Sequence, residues 1–422
     1  MKFDQYKISP EIKKNLRQLG FKRPTDIQYK SIPSIMKGED VLAIAQTGTG
    51  KTAAFAIPII DKIHHRKSSK RSTGIKCIVL VPTRELAQQI GGVFETIAKH
   101  TKTKAFALYG GVEQDPQIQK LQDGIDVLIA TPGRMFDLIN QGYINLKNVN
   151  ILVLDEADRM LDLGFIADIK YVKKMLKQRH QTLFFSATIN KEIKKLAFSQ
   201  VKSTAIRIQI SPDDPVSKNV SHYVLFVKMD DKRFFLEQFI RDHQNSKILV
   251  FVRTRVRAER LAKAMARVDI DSLTIHGEKD QHERSKVMNG FKAGDAHILI
   301  ATDVSARGID IPDVEYVINY DVPDVAENYV HRVGRTGRGV NKGVAVSFCS
   351  DEEKKLLDDI QVLLKKEVKP IQLSKTEYKA TLAASTSASL DSVKALMQEH
   401  QVWEEKKKRR KAQKVRKAKR KR

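Results

Sequence analysis

Short apolar runs alternate with helix-length amphipathic stretches along most of this chain, in two successive blocks. The first block has runs at 41–45, 76–81, 105–109, 126–130, 151–154, 182–185 and 205–208. The second has them at 221–226, 247–252, 272–275, 297–301, 316–320 and 343–348. An unbroken run such as Ile151-Leu152-Val153-Leu154 is the signature of a strand covered on both faces of a parallel sheet. Regular alternation of strand and helix therefore predicts parallel sheets wrapped by helices. A chain of 422 residues exceeds one ordinary core. Between the blocks, Ser211-Pro212-Asp213-Asp214-Pro215 bars regular structure. The expectation is an α/β protein with a first domain over 1–207, a linker over 208–219 and a second domain over 220–368. From 369 to 422 the pattern fades into an Ala- and Ser-rich stretch and a basic run, read as a largely disordered tail.

The first run opens into Ala45-Gln46-Thr47-Gly48-Thr49-Gly50-Lys51-Thr52. Gly48 and Gly50 let such a loop curl its amide N–H groups toward a phosphate chain, and the following helix start adds the positive end of its dipole. Lys51 reaches the β and γ phosphates in such a loop, and the Thr52 hydroxyl holds magnesium. Ala45 stands where the usual pattern has Gly. A glycine-rich turn is the bland alternative. The run at 151–154 ends in Asp155-Glu156-Ala157-Asp158, at the sheet edge where open α/β folds bind ligands. Asp155 would join Thr52 at magnesium through water, and Glu156 would orient and deprotonate the water attacking the γ phosphate. Taken alone these acids read equally well as a helix N-cap. Together the two segments predict ATP binding and hydrolysis.

The formal net charge is +26, and residues 406–422 hold 13 Lys or Arg and no acid, which leaves +13 on the rest. A polyanionic partner follows, with nucleic acid preferred to membrane because no lipidation signal or amphipathic anchor accompanies the charge. Cys77 and Cys349 lie in apolar runs and read as buried thiols of a reducing compartment. Two cysteines exclude a disulfide framework or a Cys-based zinc site. No stretch approaches the roughly 18 apolar residues of a membrane span, and the first residues lack an apolar signal core. A cytoplasmic protein is expected.

These motifs resemble those of the DEAD-box RNA helicases, and they appear in the family's order over residues 3–350. Gly20-Phe21-Lys22-Arg23-Pro24-Thr25-Asp26-Ile27-Gln28 is similar to the family's adenine-reading segment, with Phe3 as its upstream aromatic. The resemblance implies that Gln28 bonds the adenine edge and Phe21 packs on the base. From chemistry alone, Gln28 reads as solvated. Pro82-Thr83-Arg84-Glu85-Leu86, Gly110-Gly111 and Thr131-Pro132-Gly133-Arg134 resemble the loops that grip phosphates and sugars of one RNA strand. The residue chemistry agrees: Arg84 and Arg134 supply charge, Thr83 and Thr131 supply hydroxyls, and Gly111 lets backbone approach. Ser186-Ala187-Thr188 resembles the element coupling nucleotide state to strand separation. In the second block, Gly277, the 281–284 segment and 301–310 fit the family pattern, with Ser305 where alanine is usual. The resemblance puts Gly277, Arg284 and Thr302 at RNA and Asp310 at the ATP ribose. In His331-Arg332-Val333-Gly334-Arg335-Thr336-Gly337-Arg338, Arg335 and Arg338 are spaced to share one helical turn and stabilise charge on the transferring phosphoryl group. An exposed basic helix end is the alternative.

The resemblance implies two RecA-like domains that bind ATP and RNA jointly, close around both and reopen on hydrolysis, separating short duplexes locally. It points to the bacterial RhlE-type branch, with ribosome assembly, RNA decay or growth in the cold as settings. A monomer is expected, with ribosomal precursors or RNA-decay proteins as partners. Two rival readings stand: a DNA-dependent ATPase, and a nucleotide-gated clamp or annealing scaffold whose output is binding.

Overall fold

The computed structural model describes residues 2–46, 48–69, 71–210, 216, 219–303, 311, 314–337 and 341–384. Two seven-stranded sheets carry the chain. In the first, β1 (Val41–Ile44), β2 (Cys77–Leu80), β3 (Ala105–Leu108), β4 (Val127–Ala130), β5 (Ile151–Leu154), β6 (Gln181–Ser186) and β7 (Ile206–Gln209) are all parallel, in the order β3-β4-β2-β5-β6-β1-β7. β1, β2, β4, β5 and β6 are buried along their whole length. Successive side chains of a strand go to opposite faces. Accordingly Val41 and Ala43 join the core on one face, and Leu42 and Ile44 the core on the other. Edge strand β7 instead alternates between covered and exposed positions, which accounts for its polar Arg207 and Gln209.

The second sheet contains β8 (Val220–Phe226), β9 (Ile248–Val252), β10 (Leu273–Ile275), β11 (Ile298–Thr302), β12 (Tyr316–Asn319), β13 (Gly343–Cys349) and β14 (Lys369–Pro370). Its order is β10-β11-β9-β12-β13-β8-β14, again parallel throughout. Every strand anticipated from the sequence is present within one residue of its expected ends.

Two segments differ from expectation. β7 runs to Gln209, two residues into the stretch assigned to the linker, because its pairing with β1 continues to Ile44. The stretch assigned to the tail begins with ordered structure: β14 pairs with β8, and residues 375–384 form a helix. Tyr378 and Leu382, one helical turn apart, lay that helix against the second domain's core. The Tyr378 ring lies 4.8 Å from Phe235, and its hydroxyl donates to Asp231 Oδ2 at 2.7 Å. A two-residue strand and a helix with a two-residue apolar contact leave almost no periodicity to read. Residues 385–422 lie outside the described residues.

Both cysteines are buried free thiols, and burial pushes the Cys349 thiol up to about 11. Among the described residues no helix is long and apolar enough to cross a membrane.

Candidate active site and nucleic-acid interface

Strand order brings the two nucleotide motifs together. β6 lies between β5 and β1, with Leu154 level with Phe184 and Ile44 with Ser186. The acidic box, Ser186 and the phosphate loop therefore leave three adjacent parallel strands at the same edge. In the loop, Gly48 and Gly50 have φ of 81° and 90°, values that favour glycine. The Thr49 hydroxyl donates to the Gln46 carbonyl at 2.7 Å and tightens the turn. Lys51 opens the helix Lys51–Arg66; its side chain is buried, yet Nζ has no hydrogen-bond partner. Thr52 follows, half-buried. Thr47 lies outside the described residues.

Gln28 is buried rather than solvated, at 3% exposure. Its Oε1 accepts from the Thr25 N–H at 3.0 Å and its Nε2 donates to the Gly50 carbonyl at 3.1 Å. Gln28 thus ties the start of helix Asp26–Lys37 to the phosphate loop, and keeps one N–H and one oxygen lone pair for a further partner. A Cβ at Gly50 would stand 2.5 Å from Gln28 Nε2. Phe21 is half-buried with its ring 6.1 Å from Phe3, which is itself buried in the first domain's core.

Asp155 and Glu156 are both buried beyond the end of β5. The Glu156 N–H donates to Asp155 Oδ1 at 3.0 Å, and Glu156 occupies the left-handed region at φ 50°. Glu156 makes no side-chain cap to the helix Ala157–Asp162, which removes the capping alternative for that residue. Burial raises the Asp155 carboxyl to about 6, Lys51 opposes this, and the neighbouring Glu156 and Asp158 add to it. Asp158 received no role from the sequence and is the most connected member of the box. Its Oδ2 accepts from the N–H groups of Ala187 and Thr188 and from the Thr188 hydroxyl, at 3.1, 3.0 and 3.0 Å. The Ser186 hydroxyl donates to the Thr188 carbonyl at 2.8 Å, closing that turn. Burial pushes the Asp158 carboxyl up, but His331, Lys51 and Thr188 outweigh it and hold it below the usual range.

His331 comes from the second domain, with Nε2 3.8 Å from Asp158 Oδ2. It lies on helix Ala326–Val333, which stops before Gly334. Arg335 therefore sits past the helix end, buried, with Nε donating to the His331 carbonyl at 3.1 Å. The expected shared helical turn of Arg335 and Arg338 is corrected to this extent: Gly334 ends the helix first. Arg338 and Asp310 lie outside the described residues. Arg332, unassigned from sequence, makes four hydrogen bonds within the second domain. It chelates Asp303 through Nε and Nη2 at 2.6 and 2.8 Å and donates to Asn319 Oδ1 and the Asp321 carbonyl. Its guanidinium also stands 5.1 Å from the Phe251 ring.

The candidate RNA contacts gather at the same strand edges. Thr83 caps helix Arg84–Ala98, accepting from the Leu86 N–H at 3.3 Å. A Cβ at Gly111, φ 78°, would overlap the Arg84 guanidinium, so the arginine lies directly on the glycine backbone. Arg134 donates from Nη2 to the Val112 carbonyl at 2.9 Å, while its buried Nη1 has no partner. Thr131 precedes helix Pro132–Asn140 without spending its hydroxyl on a cap. In the second domain Gly277 is exposed and Thr302 is buried at the end of β11. Arg284 is not open to solvent: Nη2 lies 2.6 Å from Glu85 Oε1 of the first domain, an ion pair without aligned hydrogen-bond geometry. Arg284 Nε, and also Gln281 Oε1 and His276 Nδ1, are buried without hydrogen-bond partners. Sequence signalled Arg284 but not Glu85 as its counterpart.

The DEAD/DEAH box helicase family profile matches residues 25–196, and the helicase conserved C-terminal domain profile matches 231–340. The probable ATP-dependent RNA helicase DDX17 of Mus musculus is 42% identical over 335 residues, which are 78% of this chain and 51% of the relative. The chain thus spans about half the length of that relative. The ATP-dependent RNA helicase DBP3 of Lodderomyces elongisporus is 39% identical over 90% of this chain and 71% of its own length. Among solved structures, S. cerevisiae Dbp5 bound to RNA and ADP BeF3 superposes with a TM-score of 0.81 at 29% identity, over 92% of this chain and 99% of that one. Two RecA-like domains with both profiles in order, and this identity to a relative covered over most of its length, establish that the chain belongs to the DEAD-box RNA helicase family.

Proposed function

We propose that the chain is an RNA-dependent ATPase that closes on ATP and RNA together and opens short duplexes locally. The observation that carries this is the junction of the two domains at the candidate site. The acidic box of one domain meets His331 of the other at 3.8 Å, and Glu85 meets Arg284 at 2.6 Å, so neither half is complete alone. Supporting the nucleotide assignment, Lys51 Nζ is a buried cation without a partner beside two buried carboxylates. A triphosphate with magnesium would satisfy all three at once.

In this reading the 46–52 loop and Lys51 cradle the phosphates, and Gln28 and Phe21 hold the base. Thr52 and Asp155 would hold magnesium, which would neutralise phosphate charge when bound. Glu156 orients and deprotonates water, and Arg335 stabilises charge on the transferring group, with Arg338 and Asp310 proposed alongside. Asp158 links the acids to 186–188 and to His331, so closure and loss of the γ phosphate are felt by the same turn. Thr83, Arg84, Gly111, Thr131, Arg134, Gly277, Arg284 and Thr302 form one track for phosphate and sugar, which carries little sequence information. ATP and RNA then bind cooperatively, because each benefits from the closure the other stabilises. The bacterial RhlE-type branch and a cytoplasmic setting are finer proposals, supported by the basic run at 406–422 and the free buried thiols.

Glu156→Gln tests the reading. The variant should hold ATP and RNA in a long-lived complex while losing at least about 100-fold in turnover, the usual scale for a general base. Turnover at the parent rate would remove Glu156 from its role, and stronger stimulation of the parent by DNA than by RNA of equal length would overturn the substrate.

A further inference from the structure

We propose that a basic groove on the outer side of the second domain is an additional docking site for RNA backbone phosphates, separate from the track between the domains. The groove lies between helices Lys232–Asp242 and Arg255–Ala266 and encloses about 630 Å³. Five cations line it, Arg233, Arg257, Arg260, Lys263 and Arg267, against a single carboxylate, Asp230. One end is fixed: Arg257 pairs with Asp321 at 2.8 Å and lies 5.8 Å from the Tyr320 ring. Arg260, Lys263 and Arg267 are exposed, and among the described residues no carboxylate pairs with them.

An ordinary solvated helix face offsets its charges at three- and four-residue spacing. Arg260, Lys263 and Arg267 have that spacing with like sign, which weakens the helix. The only acid of the helix, Glu259, is turned away to Thr274 and His276, at 2.7 and 3.0 Å. The cationic row therefore gains nothing from its own helix. Its dimensions suit a polymer: ten residues from Arg257 to Arg267 rise about 15 Å, enough for several successive phosphates and too long for one.

Position adds a second argument. Thr254 caps helix Arg255–Ala266 directly beyond β9, which pairs with β11, the strand ending at Thr302. One end of the groove thus meets the sheet edge that bears the track. On its other side, helix 375–384 is bonded through Tyr378 to Asp231, next to the groove's Asp230. That helix is the last described element before the 406–422 basic run in the sequence. The groove thus lies between the track's sheet edge and helix 375–384.

This inference rests on the RNA reading above. The test uses the full-length chain carrying Arg260→Ala, Lys263→Ala and Arg267→Ala, with two RNAs: a short single strand that fills only the track, and a duplex with a single-stranded overhang. The variant should bind the duplex at least about tenfold more weakly at low salt. Its slope of log affinity against log salt should fall by about 2, near the 0.7–0.9 expected per phosphate contact. Short-strand affinity and turnover at saturating short strand should be unchanged. Equal duplex affinity and slope in variant and parent would overturn the groove and leave the track standing; a parent that binds neither RNA would overturn both. Sodium tripolyphosphate at matched phosphate concentration should not displace the duplex. Displacement from the parent but not from the variant would assign the groove to a compact anion and overturn the proposal.

Discussion

Glu85→Gln isolates the interdomain pair from RNA contact, because Glu85, unlike Arg284, has no chemistry for a polyanion. The side chains of Arg284 and Glu85 are only 11% and 9% exposed, and the ions lie 2.6 Å apart. Truncating one partner of a desolvated charge pair costs about 2–5 kcal/mol, mostly from the ion left behind. Gln keeps an acceptor for the guanidinium, which puts this variant near the lower end, about 2 kcal/mol. In the open state both groups are hydrated, so the loss falls on closure: roughly 30-fold in the closed-to-open ratio, at tenfold per 1.4 kcal/mol. Energy transfer between dyes on the two domains, with a non-hydrolysable ATP analogue and RNA titrated in, reads that ratio directly. The swap Glu85→Arg with Arg284→Glu should recover part of closure while RNA affinity stays low. A Glu85→Gln protein that closes like the parent, or additive single and double variants, would refute the latch.

Three further outcomes follow from the site. The Asp155 carboxyl sits at about 6, above its unfolded value, so its contribution favours folding at low pH and is lost as pH rises through 6. Without nucleotide, Asp155→Asn should melt above the parent near pH 8, by about 2–3 kcal/mol in stability, an advantage that shrinks as pH falls through 6 and is gone only below the ordinary carboxylate value of 3.8; a lower melting point near pH 8 would contradict the burial argument. Gly50→Ala combines strain at φ 90° with displacement of Gln28, about 1–3 kcal/mol for the strain and about 1 for the hydrogen bond. Nucleotide affinity measured by fluorescence should fall at least tenfold, and unchanged affinity would mean the loop tolerates another conformation. Deleting 406–422 should weaken RNA binding and flatten its salt dependence while sparing turnover at saturating RNA; lost turnover at every RNA concentration would make the tail part of the catalytic unit.

Thirteen of the fourteen strands were legible, most plainly where burial on two faces leaves an unbroken apolar run, as in Ile151–Leu154. The phosphate loop was legible because Gly48, Gly50, Lys51 and Thr52 are contiguous. Relations between distant residues were not. Nothing near Gln28 in sequence reveals that its amide bonds the Gly50 carbonyl, and nothing near Glu85 names Arg284. Arg332 and Arg335 look alike in the chain, yet one is spent inside its own domain. Helix 375–384 escaped notice because Tyr378 and Leu382 are too few to form a pattern.

The immobilisation of Arg332 bears on the proposed cycle of closing and opening. Four hydrogen bonds and a neighbouring aromatic ring fix its guanidinium within one domain, one residue from His331 and three from Arg335. Ordering a long, rotamer-rich side chain at an interface takes roughly 0.5–1.5 kcal/mol. That entropy is surrendered once, when the second domain folds. In the proposed cycle each encounter of the domains then finds Arg332 already ordered, so closing spends nothing further on that side chain.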